Sequence, residues 1–379
     1  MVVPDGIASK RVFVSADGSL ASSSEVLLQI CDAKPRPLTA AERNIRDFDG
    51  LKKREYATFG VFSPFSGYRR LLPNRVANLT AGRTELCSPA TSKIEATVPG
   101  VARALRKNAR AMVGLGPVSV GLTAGFDSRL ILAAFDAEGI EVDSHTFVNP
   151  TGRKQVDAAV AGQVAAAVDC RHDRIEEPEA DPAIFGLLEK TQAMPRQLPH
   201  VLSQLTWMSR QESQRLTVSG LGGEISRARF GLVPPWLGRE LTCRAALGHT
   251  PAPHDLPAFN EWWEDRFSTP EGATHLPALT IHHWEQRMAT WGAQYVSEKD
   301  LFVDEVSGFG SGHIQQQLLG FPQVKRSTLT SQLFIDLIEE MSPRLARLGS
   351  PEGSPLGHRL YNATPVPRLL RTLRPGWGG

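Results

Sequence analysis

The chain has 379 residues, 42 Lys and Arg against 40 Asp and Glu, and 41% hydrophobic residues; at roughly 150 residues per domain this length predicts two or three compact units, each able to bury a core. A net charge of +2 argues against nucleic acid or a membrane surface as a partner held by bulk charge, and no window reaches the roughly 18 apolar residues of a membrane span. Cys31, Cys87, Cys170 and Cys243 stand far apart with no CxxC pair, which excludes the usual disulfide and zinc frameworks; with no signal-peptide core at the front, a cytoplasmic protein is expected.

Residues 1–99 are mixed, with short β-rich pieces at 11–14, 25–30 and 57–62, and read as a small β-containing front module. From 98 to 113, Val101, Leu105, Ala109 and Met112 recur at helical spacing with Arg and Lys between them, predicting an amphipathic helix. Val118-Ser-Val-Gly-Leu122 then reads as a buried strand, Thr123-Ala-Gly-Phe-Asp-Ser128 as a glycine-containing turn, and Arg129 onward as a helix. A second strand is expected at 141–147, followed by an Ala/Val-rich helix at 156–168 and a third strand at 215–219 entering Gly220-Leu-Gly-Gly-Glu224. Strands alternating with helices predict an α/β fold with a parallel sheet covered on both faces. After Pro234 the pattern turns helical, broken by prolines through 255–277 and resuming from about 282 to 348. The Pro/Gly/Arg-rich stretch 349–379 reads as a poorly packed tail.

The turn at 123–128 carries the chemistry. A loop between a strand and a helix N-terminus gathers backbone N–H groups and the positive end of the helix dipole, a setting in which phosphate binds readily. Gly125 lets the backbone approach an anion, and the Thr123 and Ser128 hydroxyls can donate to it. Asp127 would repel a bare phosphate, but it makes sense as a ligand of Mg²⁺, which prefers one or two carboxylates together with phosphate oxygens. Neither a GxxxxGK[ST] loop nor GxGxxG is present at this turn.

Leu122-Thr-Ala-Gly-Phe-Asp-Ser128 resembles the Ser-Gly-Gly-x-Asp-Ser pyrophosphate loop of the N-type ATP pyrophosphatases. Val218-Ser-Gly-Leu-Gly-Gly-Glu224 resembles the second loop of the asparagine synthetase family, and Val156-Asp-Ala-Ala159 resembles the Asp-x-x-Ala helix start between them. The likeness spans about 67–348, with Thr123 and Ala124 for Ser and Gly and with Glu224 for the family's metal-binding Asp. It implies an ATP-pyrophosphatase domain at 100–348 with a helical C-terminal half. MgATP would lie over Leu122, Thr123, Gly125, Asp127, Ser128, Gly222 and Gly223, with Mg²⁺ on Asp127 and Glu224. The implied reaction is adenylation of a small-molecule or peptide carboxylate and its transfer to an amine, as in specialised-metabolite biosynthesis.

Other residues leave two readings open. Lys325 would meet the pyrophosphate, as a late lysine does in that family, or form with Arg326 a solvated pair at a helix start. Glu305 would orient or deprotonate the amine, or remain a surface carboxylate. Glu224 could instead pair with Arg227 or Arg229, and Asp157 could be only a first-turn acid favoured by the dipole. His282-His283-Trp284 reads as a partly buried helix face.

The same resemblance places a glutaminase ahead of the synthetase, with a nucleophilic cysteine at its first position. Here residue 2 is Val, and only about 120 residues precede the pyrophosphate loop. Residues 1–99 are therefore expected to be a truncated remnant without glutamine hydrolysis. The amine would come from within the substrate or from a second molecule, and the expected protein partners are a second copy in a homodimer or a separate amine-supplying protein. The rivals are a hydrolase or sulfur-transfer enzyme on the same loop, for which no reactive cysteine pair is present, and a degenerate homologue that binds a nucleotide or partner without turnover.

Overall fold

The computed structural model describes residues 1–15, 17–18, 21–22, 28, 61, 63, 65, 67–86, 94–148, 153–192, 195–211, 215–227, 238–247, 255–268, 275–328 and 330–348. The strands expected at 25–30 and 57–62, apart from Leu28 and Val61, and the tail at 349–379 lie outside the described residues.

In the front part, β1 (Phe13–Ser15) pairs antiparallel with both β2 (Ala21–Ser22) and β3 (Tyr68–Arg70), and β4 (Arg75–Asn78) pairs antiparallel with β5 (Arg83–Leu86). Residues nearer the start belong to a different core: Ile7 and Ala8 pack with Leu221, Ile225, Phe259, Trp262 and Trp284. The front segment and the second half of the chain thus share one hydrophobic cluster.

Helix α1 (Val98–Val113) buries Val101, Leu105, Ala109 and Met112, the stripe predicted from spacing. Its start is fixed chemically: the Thr97 hydroxyl accepts from the Gly100 amide at 3.2 Å, and Pro99 sits in the first turn, where its missing N–H has no partner to lose. The α/β unit follows as β6 (Val118–Gly121), α2 (Phe126–Asp136), β7 (Asp143–Val148), α3 (Arg153–Ala166), β8 (Arg171–Glu176), α4 (Pro182–Thr191), α5 (Pro199–Met208), β9 (Leu216–Ser219) and α6 (Gly223–Ser226). Then come α7 (Arg239–Leu247), α8 (Asp255–Phe267), α9 (Ala278–His282), a π-helical stretch (His283–Gly292), α10 (Ala293–Lys299), β10 (Glu305–Ser307), α11 (Gly312–Leu319), α12 (Gln332–Met341) and α13 (Pro343–Ala346).

Five strands form one parallel sheet in the order β10-β9-β6-β7-β8. The chain leaves β6 outward through β7 and β8, then crosses back to lay β9 and β10 on the other side. Neighbouring β6 and β9 therefore flank the topological switch point, where the following loops part and leave a crevice at the carboxyl ends of the strands. Both glycine loops lie at that crevice.

The two faces of the sheet differ. Val118, Val120, Leu216 and Val218 enter the largest core with α1, α2 and α12. The opposite face carries Ser119, Thr217 and Glu305 in register, with His145 beside Gly121.

Several expectations need correction. The stretch 255–267 is not broken by prolines but is helix α8, because Pro257 falls in the first turn, where no intrahelical N–H is lost. Helix α3 begins at Arg153 rather than 156. Strands β8 and β10 were not anticipated: β8 reads Arg-His-Asp-Arg-Ile-Glu with only Ile175 buried, and β10 has three residues. Among the described residues no helix is long and apolar enough to cross a membrane.

Candidate functional site

The first glycine loop leaves β6 at Leu122, whose amide donates to the His145 carbonyl at 2.9 Å. Three successive loop amides then meet side-chain oxygens of the chain itself. Thr123 N donates to Ser128 Oγ at 3.0 Å, Ala124 N to Asp157 Oδ1 at 2.6 Å, and Gly125 N to Thr123 Oγ1 at 3.2 Å. Asp157 is the fifth residue of α3, beyond its first turn, and its carboxylate occupies the Ala124 amide. Gly125 is the N-cap of α2 and contributes no side-chain acceptor, so the first-turn amides of α2 lack a cap. Ala124 does not take a positive φ, so its methyl is compatible with the turn.

The second loop lies directly on the first. A Cβ on Gly220 would stand 2.9 Å from Ser128 N, and a Cβ on Gly223 would stand 2.6 Å from Asp127 Oδ1. Two glycines are thus required by the close approach of a backbone to Asp127 and the start of α2. Gly222, at φ 88°, is required by conformation as well.

Asp127 is the junction. Its Oδ2 accepts from Arg227 Nη1 at 3.0 Å, while its Oδ1 is buried without a hydrogen-bond partner. A carboxylate oxygen without a partner suits a hard cation such as Mg²⁺. Glu224, at the start of α6, lies with Oε1 3.9 Å from Nε2 of the buried His283. Among the described residues no group of three or more Asp, Glu, His or Cys side chains is placed to hold a metal. An ion held at Asp127 would have to take its remaining ligands from outside the protein, such as phosphate and water oxygens.

Other expected residues take different positions. Lys325 Nζ pairs with Asp336 Oδ2 at 2.8 Å. Its neighbour Arg326 is not solvated but buried, donating to the carbonyls of Phe321 at 2.8 Å and Ser226 at 2.9 Å. Burial pushes the Arg326 pKa down to about 10. This arginine thus fastens the end of α6 in the second loop. Glu305 is not a surface carboxylate: it is fully buried on β10 and accepts from Lys299 Nζ at 2.6 Å. Burial alone would lower the Lys299 pKa, but Glu305 and Tyr295 more than offset it and raise the pKa above its ordinary value. Glu305 lies level with Thr217, two residues before the Ser219 end of β9, roughly 7 Å below the loop.

His145 adjoins this polar face, with Nδ1 2.8 Å from Ser119 Oγ. Burial, with Lys299 adding to it, lowers its pKa to about 4. His282, His283 and Trp284 are fully buried, deeper than their sequence pattern suggests. Cys170 is a free thiol. A cavity of about 590 Å³ opens at the other end of the sheet, beside Val118, Asp143, Arg171 and Arg215 at the starts of the strands. It is separate from the glycine loops, and its Arg215 and Arg344 are paired with Asp143 and with Asp136 and Asp169.

Arg227 and Arg326 are the site residues that sequence reasoning missed. The sequence offers Arg227 only as a neighbouring partner for Glu224, yet it pairs with Asp127, one hundred positions earlier. No local pattern signals such a contact. The structure defines an α/β protein of Rossmann-like architecture with paired glycine loops at the switch point of its sheet. Comparison with protein-family models and with curated proteins gives no match for this chain.

Proposed function

We propose that this chain is an ATP-pyrophosphatase-fold ligase of the asparagine synthetase type, which adenylates a carboxylate and joins it to an amine. The observation carrying this reading is the convergence of both glycine loops on Asp127, whose buried Oδ1 lacks a partner. The adenine nucleotide lies across Leu122 and the crevice between β6 and β9. Its pyrophosphate faces Thr123, Gly125, Ser128, Gly222 and Gly223. Asp127, with Glu224, would hold Mg²⁺, which supplies neutralising charge to the phosphate oxygens.

A substrate carboxylate oxygen attacks the α-phosphorus, the bond to the bridging pyrophosphate oxygen breaks, and an acyl-adenylate results. The amine then attacks the acyl carbon and AMP leaves. Alignment and charge neutralisation account for most of the rate in such a scheme. Lys325 stabilises the leaving pyrophosphate once released from Asp336. Glu305 contributes from beneath the crevice, through its pair with Lys299.

A second reading has an observation of its own. The amides of Thr123, Ala124 and Gly125 are already satisfied by side-chain oxygens, including the Asp157 carboxylate, as would suit a homologue that no longer turns over. Exchange of labelled pyrophosphate into ATP with a panel of carboxylic acids separates the two. The ligase reading expects acid-dependent exchange that Asp127→Asn abolishes while the circular dichroism spectrum is preserved. Nucleotide binding with no exchange for any acid would establish the second reading, and full exchange by Asp127→Asn would refute the metal assignment.

A further inference from the structure

We propose that Arg227 is a phosphate-binding residue of this site, a guanidinium held by Asp127 until a nucleotide displaces it. The inference rests on the ATP-binding reading above and deepens it. Arg227 follows α6 directly, so the second loop presents it at the crevice. Nη1 bonds Asp127 Oδ2 at 3.0 Å, tying one glycine loop to the other. The guanidinium carbon lies 5.7 Å from the Phe334 ring centroid, and Nε is buried without a hydrogen-bond partner. The guanidinium is thus only partly satisfied where it stands, while about a fifth of the side chain remains open to solvent, at 22%.

Charge decides what happens when a polyphosphate enters. The anion would arrive beside the Asp127 carboxylate, a repulsive encounter unless a cation intervenes. Arg227 is that cation, and its planar fork can engage two phosphate oxygens in parallel where the carboxylate takes one bond. Rotation of this one side chain exchanges the Asp127 contact for a phosphate contact. The same movement frees Oδ2, so both oxygens of Asp127 become available to Mg²⁺. The aromatic face of Phe334 keeps the guanidinium near the crevice in either position.

The test is calorimetric titration of the full chain and of Arg227→Gln and Arg227→Lys with three probes: MgATP, inorganic pyrophosphate with Mg²⁺, and adenosine. For Arg227→Gln, MgATP and pyrophosphate affinity should fall about ten- to a hundredfold, the range for a lost charge-assisted hydrogen bond, with adenosine affinity unchanged. Arg227→Lys keeps the charge without the fork and should lie between the two; it carries the test alone if Arg227→Gln melts early. Wild-type affinity for MgATP in both variants overturns the proposal. So does an equal loss for adenosine, which marks a purely structural role. If the wild-type chain binds none of the three probes, the nucleotide-binding reading itself fails and takes this inference with it.

Discussion

Gly223→Ala tests the close approach of the two loops. The added Cβ would stand 2.6 Å from Asp127 Oδ1, 2.9 Å from its Cγ and 3.0 Å from its Cβ. Ordinary contact begins near about 3.5 Å, so the carboxylate must retreat by roughly 0.9 Å. Rotation can move Oδ1 and Cγ, whereas Cβ yields only with a small shift of the backbone at the start of α2, so the stability cost should fall in the roughly 1–3 kcal/mol typical of overpacking. A displacement near 1 Å at a positioned group can nevertheless cost about a hundredfold. The expected result is MgATP affinity reduced about ten- to a hundredfold by calorimetry, in a protein that still unfolds cooperatively in urea. Gly186→Ala is the control: nothing lies within 4 Å of a Cβ there, and in α4 the change should stabilise by about 0.5–1 kcal/mol. Unaltered MgATP binding by Gly223→Ala would refute the argument that glycine is there to let Asp127 in.

Two further predictions concern stability. Burial lowers the His282 pKa to about 3, below the unfolded value, so the unfolded chain takes up the proton first. Its contribution is complete above the unfolded pKa and declines as pH falls toward the folded one; about 2 kcal/mol disappears between pH 7 and pH 5. His282→Gln should remove that part of the pH dependence in urea unfolding at the two pH values, and an unchanged dependence would show that His282 is not buried in its neutral form. Glu298 accepts from Arg196 N at 2.8 Å and Arg196 Nε at 2.7 Å, and both side chains are almost wholly buried. Glu298→Gln leaves a buried guanidinium without its counter-charge and should cost about 3–5 kcal/mol, seen as a fall in urea midpoint. A loss under about 1 kcal/mol would mean that water reaches the pair.

How far the sequence alone reaches depends on where each signal lies. Helix α1, strands β6 and β9 and the loops at 122–128 and 218–224 are legible because their period, glycines and hydroxyls sit within a few consecutive residues. Strand β8 is not, because it exposes most of its side chains and has no apolar alternation to betray it. Helix α8 is hidden in the sequence because Pro257 signals a break in general but is accommodated in a first turn. At the site, Asp127, Ser128 and Thr123 could be read from local chemistry. The contacts of Arg227 with Asp127, of Arg326 with Ser226 and of Asp157 with Ala124 could not, since they join residues 100, 100 and 33 positions apart.

The second glycine loop is also packed against the front segment of the chain. A Cβ on Gly222 would meet Ile7 at 3.0 Å, Gln315 Nε2 donates to the Gly222 carbonyl at 3.1 Å, and Arg326 holds the Ser226 carbonyl. Ile7 is held in turn: Asp5 accepts from the amides of Ile7, Ser9 and Lys10, and Trp284 Nε1 donates to the Gly6 carbonyl at 2.7 Å. The loop is therefore pinned from the front segment, from α11 and from the turn before α12, while its glycines press on Asp127. Any shift in Ile7 would therefore pass through a closely packed backbone to the Asp127 carboxylate.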